Sequence, residues 1–314
     1  MAPRPRIPES LRDRPFSRRE ALDMGVTSRQ LEGGFLLRLF PQVYILRDHE
    51  MTGSDWITAA TLAMPECAHL SHVSRIQALG LDIGEIWPVR FTVVGDLHLA
   101  MDDAFLHRTA ALPPLDEVGV TPAAAFVQFC ATATVLDAVV VGDWLLHRRH
   151  MTLGEVAELS RAQHWRPGAR QVRRILPVLD GGAMSVKESE VRIRLEFAGL
   201  PRPEVNVPMM VDGELLGIGD LLVRCVMLVL EYEGRQHAES PRQFNRDIHR
   251  YASFRNNAVE YLQITNEMLS RPRVMVTQVH HRLRALGYNG PAPVFGDRWD
   301  SLTAPIPRSV RRSR

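Results

Sequence analysis

The sequence predicts an α/β protein built from several domains, and three observations carry that expectation. The chain has 314 residues, more than one core ordinarily serves. Near its start, two helix-capping patterns in succession precede a leucine-rich run, the layout of a helix-turn-helix with a β-wing. From residue 185 onward the hydrophobic spacing switches between helical and strand periods, in the order helix, strands, helix, strand, helix. The boundaries expected are 1–50 for a winged helix-turn-helix, 51–183 for a mixed α/β middle region, 184–290 for a C-terminal α/β domain with a mixed sheet, and 291–314 for a tail.

The first element pair lies in residues 16–46, FSRREALDMGVTSRQLEGGFLLRLFPQVYIL. Ser17 and Glu20 have capping-box spacing, with Phe16 and Ala21 placed as its hydrophobic staple. Thr27 and Gln30 repeat the pattern after a turn at Gly25-Val26, and Gly33-Gly34 stops the second helix. That helix, 28–33, would present Ser28, Arg29 and Glu32 outward, and the wing adds Arg38. Residues 1–50 hold nine arginines against seven acids, a slight positive footprint.

In the middle region, two helices are expected at 54–64 and 71–79, the second opened by Ser71, followed by a strand over 89–97. Helices are then expected at 121–147 and at 152–164, the latter opened by Thr152 and Glu155. Histidines are scattered here without paired ligand spacing, so no metal site is read from them.

Composition limits the partners. Apolar residues make up 45% and charged residues 24%, as in globular proteins of aqueous compartments. The proline- and arginine-rich N-terminus has no apolar h-region, and the most apolar window, 122–142, is interrupted by Gln128 and Asp137. A cytoplasmic location without a membrane partner is therefore expected. Cys67, Cys130 and Cys225 stand in apolar settings without paired spacing, which argues against a disulfide framework and a zinc site. Of the 38 basic residues only Lys187 is lysine, the mark of a GC-rich genome rather than of a function.

The C-terminal region carries the candidate chemistry. KESEVRIRLEFAGL reads as a helix ending at Gly199, with Glu188, Val191, Leu195 and Ala198 on its packing face. Glu190 and Arg194 form a pair on the opposite face, while Arg192 is placed to pair with Glu188. EVNVPMMVDGELLGIGDLLVRCVMLVLEYEG gives a strand, an Asp-Gly turn and two further strands. Asp220 then falls in the second strand, and Glu231 and Glu233 share one face at the end of the third. Carboxylates gathered at a sheet end repel one another unless protonated or bridged by a divalent cation, and Mg²⁺ favours such oxygen ligands. A helix opened by Ser240-Pro241, a strand VEYLQIT and an amphipathic helix with Val276, Val279, Leu283 and Leu286 on one side follow.

Two resemblances sharpen these readings. Residues 16–46 resemble the N-terminal winged helix of AbiEi-type antitoxins, which implies DNA binding, operon repression and a cognate toxin as protein partner. Residues 184–287, with the ordered elements KESEVR, Asp220, EYEGRQH and DIHR, resemble the very-short-patch-repair-like endonucleases of the PD-(D/E)XK superfamily. That likeness implies a restriction-endonuclease-like fold and cleavage of DNA phosphodiesters with Mg²⁺, or Mn²⁺ in its place. On it, Glu188 is the acid of the first helix, Asp220 the central metal ligand and Glu231 the second acid; Asp220 and Glu231 would hold the cation, with Glu188 or Glu233 completing its shell through water. Glu233 takes the place of the family's aspartate, His237 is the proton-handling imidazole, and Asp247 and Arg250 support it. Arg235 and Arg246, with Arg242 and Arg250, would contact DNA phosphates. The chain departs from the pattern in three places: the superfamily's lysine is missing, Glu233 is one methylene longer than aspartate, and Gly219 replaces a proline or β-branched residue. A non-cleaving DNA-binding antitoxin or repressor on a degenerate nuclease fold is the alternative.

Overall fold

The computed structural model describes residues 7–97, 101–211, 213–233, 254, 256–257 and 259–306. The protein is mixed α/β, with an antiparallel three-stranded sheet and two mixed sheets. Its backbone divides into two units, Met1–Phe129 and Cys130–Arg314. The sequence borders at 50 and 183 each fall within one of these units.

In the first unit, β1 (Phe16–Ser17) leads into α1 (Arg18–Asp23), then α2 (Ser28–Leu31), β2 (Leu36–Phe40) and β3 (Val43–Leu46). The strands form an antiparallel sheet in the order β1-β3-β2. Ser17 accepts from the Glu20 N–H at 3.1 Å, whereas the Glu20 side chain turns to Arg14 instead of closing the box. Thr27 and Gln30 make the full reciprocal box. Phe16, Ala21, Val26, Leu31 and Leu36 pack with Leu11 into one small core. The second helix ends at Leu31, two residues before the expected limit, because Gly33 closes a tight turn. A Cβ on Gly33 would lie 2.5 Å from the Phe35 ring.

The unit continues through α3 (Gly53–Ala63), β4 (His69–Leu70), α4 (His72–Gln77), β5 (Val89–Val94), β6 (Ala104–Thr109) and α5 (Pro122–Phe129). The strand β5 lies between β4, antiparallel to it, and β6, parallel to it. Val89, Phe91 and Val93 alternate onto one face and are buried against Ile57, Ala60 and Leu70. On the other face, Thr92 stands in register with both His69 and His107. Ser71 does not cap α4 with its side chain, as expected for an N-cap, but meets the His72 ring at 2.9 Å. Gly119 lies against β4, and a Cβ there would be 2.4 Å from the Leu70 carbonyl oxygen. That oxygen already accepts from the Val120 N–H, so backbone must move. Gly119→Ala is expected to cost about 1–3 kcal/mol, read as a lower melting temperature, whereas Gly34→Ala, with open space around it, should leave the melt unchanged.

Two imidazoles cover the polar face of this sheet. His72 stacks on His107 with ring centroids 3.6 Å apart, and Gln128 bridges the His72 N–H and the Thr92 hydroxyl. Burial, then the nearby His107 and Arg90, push the His72 pKa down to about 2. Burial, then Arg90, push that of His107 down to about 4. Both rings are thus held neutral, and the unfolded chain binds protons more readily below its ordinary histidine pKa of about 6.5. Their stabilising contribution is complete above that pH and is lost as pH falls toward 4 for His107 and further for His72. Each can contribute up to about 1.4 kcal/mol per pH unit in that window. A melting series from pH 7 to pH 4 should fall steadily, and His72→Gln with His107→Gln should flatten it.

The second unit opens with α6 (Val135–His147), α7 (Leu153–Ala162) and α8 (Ala169–Ile175). The single helix expected over 121–147 is two, broken at 130–134. Thr134 caps α6 by accepting from the Asp137 N–H, and segment 304–306 pairs with the break through Ala304 O to the Val135 N–H and the Ile306 N–H to Ala133 O. A helix there would need those backbone groups for itself. Thr152 and Glu155 form the expected capping box on α7.

Next come α9 (Val186–Phe197), β7 (Glu204–Val211), β8 (Glu214–Val223), β9 (Leu228–Glu233) and β10 (Glu260–Thr265), in a sheet ordered β10-β9-β8-β7. The β10–β9 pair is parallel and the other two are antiparallel. Gly199 ends α9 at φ +83°, as its position just past the helix predicts. Val191, Leu195 and Ala198 are buried as expected, and the later helix Pro272–Ala285 buries Val276, Val279 and Leu283. Glu190 does pair with Arg194, at 2.6 Å, but both side chains are half-buried rather than on a wet face. Cys130 alone is buried; Cys67 and Cys225 are exposed, contrary to their apolar sequence settings.

Arg192 corrects a further expectation. Its guanidinium does not pair with Glu188 but with Asp143 on α6, at 2.7 Å, with both side chains buried. It also donates to the Val178 carbonyl at 2.9 Å, and the second Asp143 oxygen accepts from the Asp180 N–H. Burial raises the Asp143 pKa, and Arg192, the Asp180 N–H and Ser189 oppose that rise. One ion pair therefore ties α6, the 178–180 loop and α9 together.

Candidate functional site

The candidate site lies where the β8–β9 ladder gives way. Backbone pairing runs from Val223↔Leu228 to Leu221↔Leu230. At the next level, side chains replace backbone partners. The Asp220 N–H donates to Glu231 Oε1 at 3.3 Å, and the Tyr232 N–H donates to Asp220 Oδ2 at 2.9 Å. Two carboxylates are thereby locked on adjacent strands, each held by the other strand's backbone. Glu231 is buried and Asp220 half-buried.

The same level extends across the sheet. Gln263 on β10 is the register partner of Glu231. On β7, Asn206 lies between the pairs Val205↔Leu221 and Val207↔Gly219, which sets it across from Asp220. Asn206 has φ +50°, a left-handed conformation that asparagine tolerates better than most residues. Its amide donates to Glu188 Oε2 at 2.8 Å and to the Gly182 carbonyl at 2.8 Å. Glu188, buried at the start of α9, also accepts from the Met184 N–H at 2.9 Å. Glu188, Asn206, Asp220, Glu231 and Gln263 thus form a polar row, with Asn206 as the link between helix and sheet.

The sequence-predicted residues fall into three groups. Asp220 and Glu231 are tied across β8 and β9, and Glu188 reaches the same level of the sheet through Asn206. Glu233, two residues beyond Glu231 on β9, is exposed, while His237, Asp247, Arg250, Arg235 and Arg246 lie outside the described residues. Ser28, Arg29 and Arg38 are exposed in the first unit, where Ser28 accepts from Arg18 at 2.9 Å. Asn206 and Gln263 escaped the sequence reading. The signal for Asn206 was a lone polar residue between two valines of a strand, and for Gln263 its place between Leu262 and Ile264.

Gly219 also has a local reason. It is buried, and a Cβ there would approach Val229 Cγ1 to 2.8 Å. A proline or β-branched residue, usual in the resembled pattern, has no room beside β9.

The donor set fits a hard divalent cation. Asp220 and Glu231 offer oxygen only, and Mg²⁺ is commonly held by one or two carboxylates with water or phosphate completing its shell. Among the described residues no group of three or more histidine, cysteine, aspartate or glutamate side chains is placed to hold a metal. Among them, too, no helix is long and apolar enough to cross a membrane.

No protein-family model matches the chain. Over 110 residues, 35% of its length, it is 31% identical to the uncharacterized proteins MT2308 and Rv2248, from two strains of Mycobacterium tuberculosis. The match spans 41% of the length of those relatives.

Proposed function

We propose that the chain is a DNA-binding protein whose C-terminal unit hydrolyses DNA phosphodiester bonds with Mg²⁺, or Mn²⁺ in its place. The observation that supports it most is the interlocked pair Asp220–Glu231 at the splayed end of the β8–β9 ladder. Two carboxylates set on adjacent strands at one level of the sheet offer the hard oxygen ligands that Mg²⁺ favours.

On this reading Asp220 and Glu231 hold the cation, and Glu188 fixes the row from behind through Asn206. The bound cation supplies charge stabilisation at the phosphoryl group and a more acidic attacking water. His237 handles the proton, as an imidazole can. Arg235 and Arg246 contact DNA phosphates. The first unit, through Ser28, Arg29 and Arg38, adds DNA contact in the manner of an AbiEi-type winged helix, with a toxin as protein partner and the cytoplasm as its location.

A second reading, a non-cleaving repressor, draws on Glu188: its Oε2 is already engaged by Met184 and Asn206. Incubating a linear plasmid with Mg²⁺ separates the two. Cleavage by the wild type, lost in Asp220→Ala, is the expected result. Equal absence of cleavage in both, with a gel shift abolished by Arg29→Ala and Arg38→Ala, would leave the repressor.

A further inference from the structure

The α7–α8 corner of the second unit stands apart in charge. Residues 148–175 contain seven arginines and two acids, a greater excess of positive charge than the +2 of the whole chain. Arg161, Arg170 and Arg173 are exposed around the corner, with Arg148 and Arg149 exposed at the entry to α7. None of these five forms an ion pair among the described residues. The described arginines from Arg192 to Arg298 in the same unit behave otherwise: all but Arg284 pair with a carboxylate. Among the described residues, the guanidinium groups from Arg192 onward, Arg284 apart, are thus neutralised within the unit, whereas these five are not.

Their local bonds leave them ready for an external anion. Arg161 Nε donates to the Ala157 carbonyl at 3.1 Å, and an Arg173 terminal nitrogen donates to the Ser160 carbonyl at 3.5 Å. Each is thus steadied against the C-terminal half of α7 while most of its N–H groups stay available. Arg170 and Arg173 are three residues apart and share one stripe of α8. In the connecting turn, Trp165 is 53% exposed, with the Arg166 guanidinium 4.3 Å from its ring centroid. Glu158 on α7 is the exposed acid nearest in sequence to Arg161, and Glu155 is occupied as the cap of Thr152.

We infer that this corner binds the phosphate backbone of duplex DNA, as a surface separate from both the carboxylate row and the first unit. Arginine forks match phosphate geometry, and a cluster of them without internal partners releases counterions on contact. A single strand is usually held by successive aromatic platforms; here one exposed ring accompanies the arginines, which fits contact with duplex phosphates and sugars. The inference rests on the distribution of charge and stands whether or not Asp220 and Glu231 support cleavage.

The test is fluorescence anisotropy of a labelled duplex with the full chain across a salt series, comparing the wild type with Arg161→Gln/Arg170→Gln/Arg173→Gln. Removing three phosphate contacts should reduce the slope of log affinity against log salt by about 2.7 and weaken low-salt binding by at least about tenfold. Arg271→Gln, at an exposed arginine of the same unit already paired with Glu267, should keep the wild-type slope, which shows that the loss is specific to this corner. Thermal melting of the triple variant, expected to be unchanged, shows that any loss is not unfolding; the single variant Arg170→Gln, with about a third of the effect, gives the same answer should the triple variant melt early. An unaltered slope and affinity would overturn the inference. So would displacement by polyglutamate at lower charge concentration than by duplex, which would point to an acidic protein instead.

Discussion

Replacing Arg192 with alanine is expected to lower the stability of the C-terminal unit by about 3–5 kcal/mol. The magnitude follows from burial: the Arg192 and Asp143 side chains are 0% and 1% exposed. Truncating one partner leaves the other charge in the interior without compensation. The loss extends beyond one pair, because Arg192 also satisfies the Val178 carbonyl and Asp143 the Asp180 N–H. Those bonds fix the loop that precedes α9, and Gly182, which accepts from Asn206, lies in the same loop. Arg192→Ala should therefore disturb the polar row from behind as well as the core. Substituting both partners by apolar residues of similar size, Asp143→Leu with Arg192→Met, should recover much of the lost stability, since no lone charge remains. Chemical denaturation of the two single variants and the double variant measures the coupling. Single variants within about 1 kcal/mol of wild type would contradict the assignment of a buried pair.

The second large effect concerns cleavage. Asp220→Asn keeps an oxygen able to accept from the Tyr232 N–H but removes the charge. If the row holds a divalent cation, the rate should fall by about 10²-fold or more, since the charge stabilisation such an ion supplies is several kcal/mol. Glu231→Gln should act similarly. Its effect on folding should be small, because Gln retains an acceptor for the Asp220 N–H. Asn206→Ala should behave differently. It touches neither carboxylate of the β8–β9 pair directly, so it should weaken cation binding rather than abolish it, by the 10–100-fold typical of a supporting residue.

Much of this framework was legible in the sequence because it rests on local chemistry. Thr27 with Gln30, Thr152 with Glu155 and Gly199 act within one or two turns of helix, where capping and left-handed backbone have residue-specific signatures. The alternation that set Asp220 and Glu231 within strands is likewise local. What escaped was non-local. Asp143 is 49 residues from Arg192, and an arginine at i, i+4 from Glu188 offers a nearer but false partner. The break at 130–134 depends on residues 304–306, which no helical periodicity can announce. Asn206 is set by a left-handed backbone conformation, φ +50°, visible in sequence only as a polar residue where a strand would bury an apolar one. The two exposed cysteines show the same limit, since apolar neighbours in sequence do not guarantee burial in space.

Calorimetric titration of Mg²⁺, and of Mn²⁺ in parallel, into the wild type and Asp220→Asn tests the central claim without requiring a known substrate. The wild type should bind a divalent ion at one site in the second unit, with affinity lost or reduced by at least about tenfold in Asp220→Asn. Equal heats in the two proteins, or binding by neither, would contradict the assignment of Asp220 and Glu231 as a cation site.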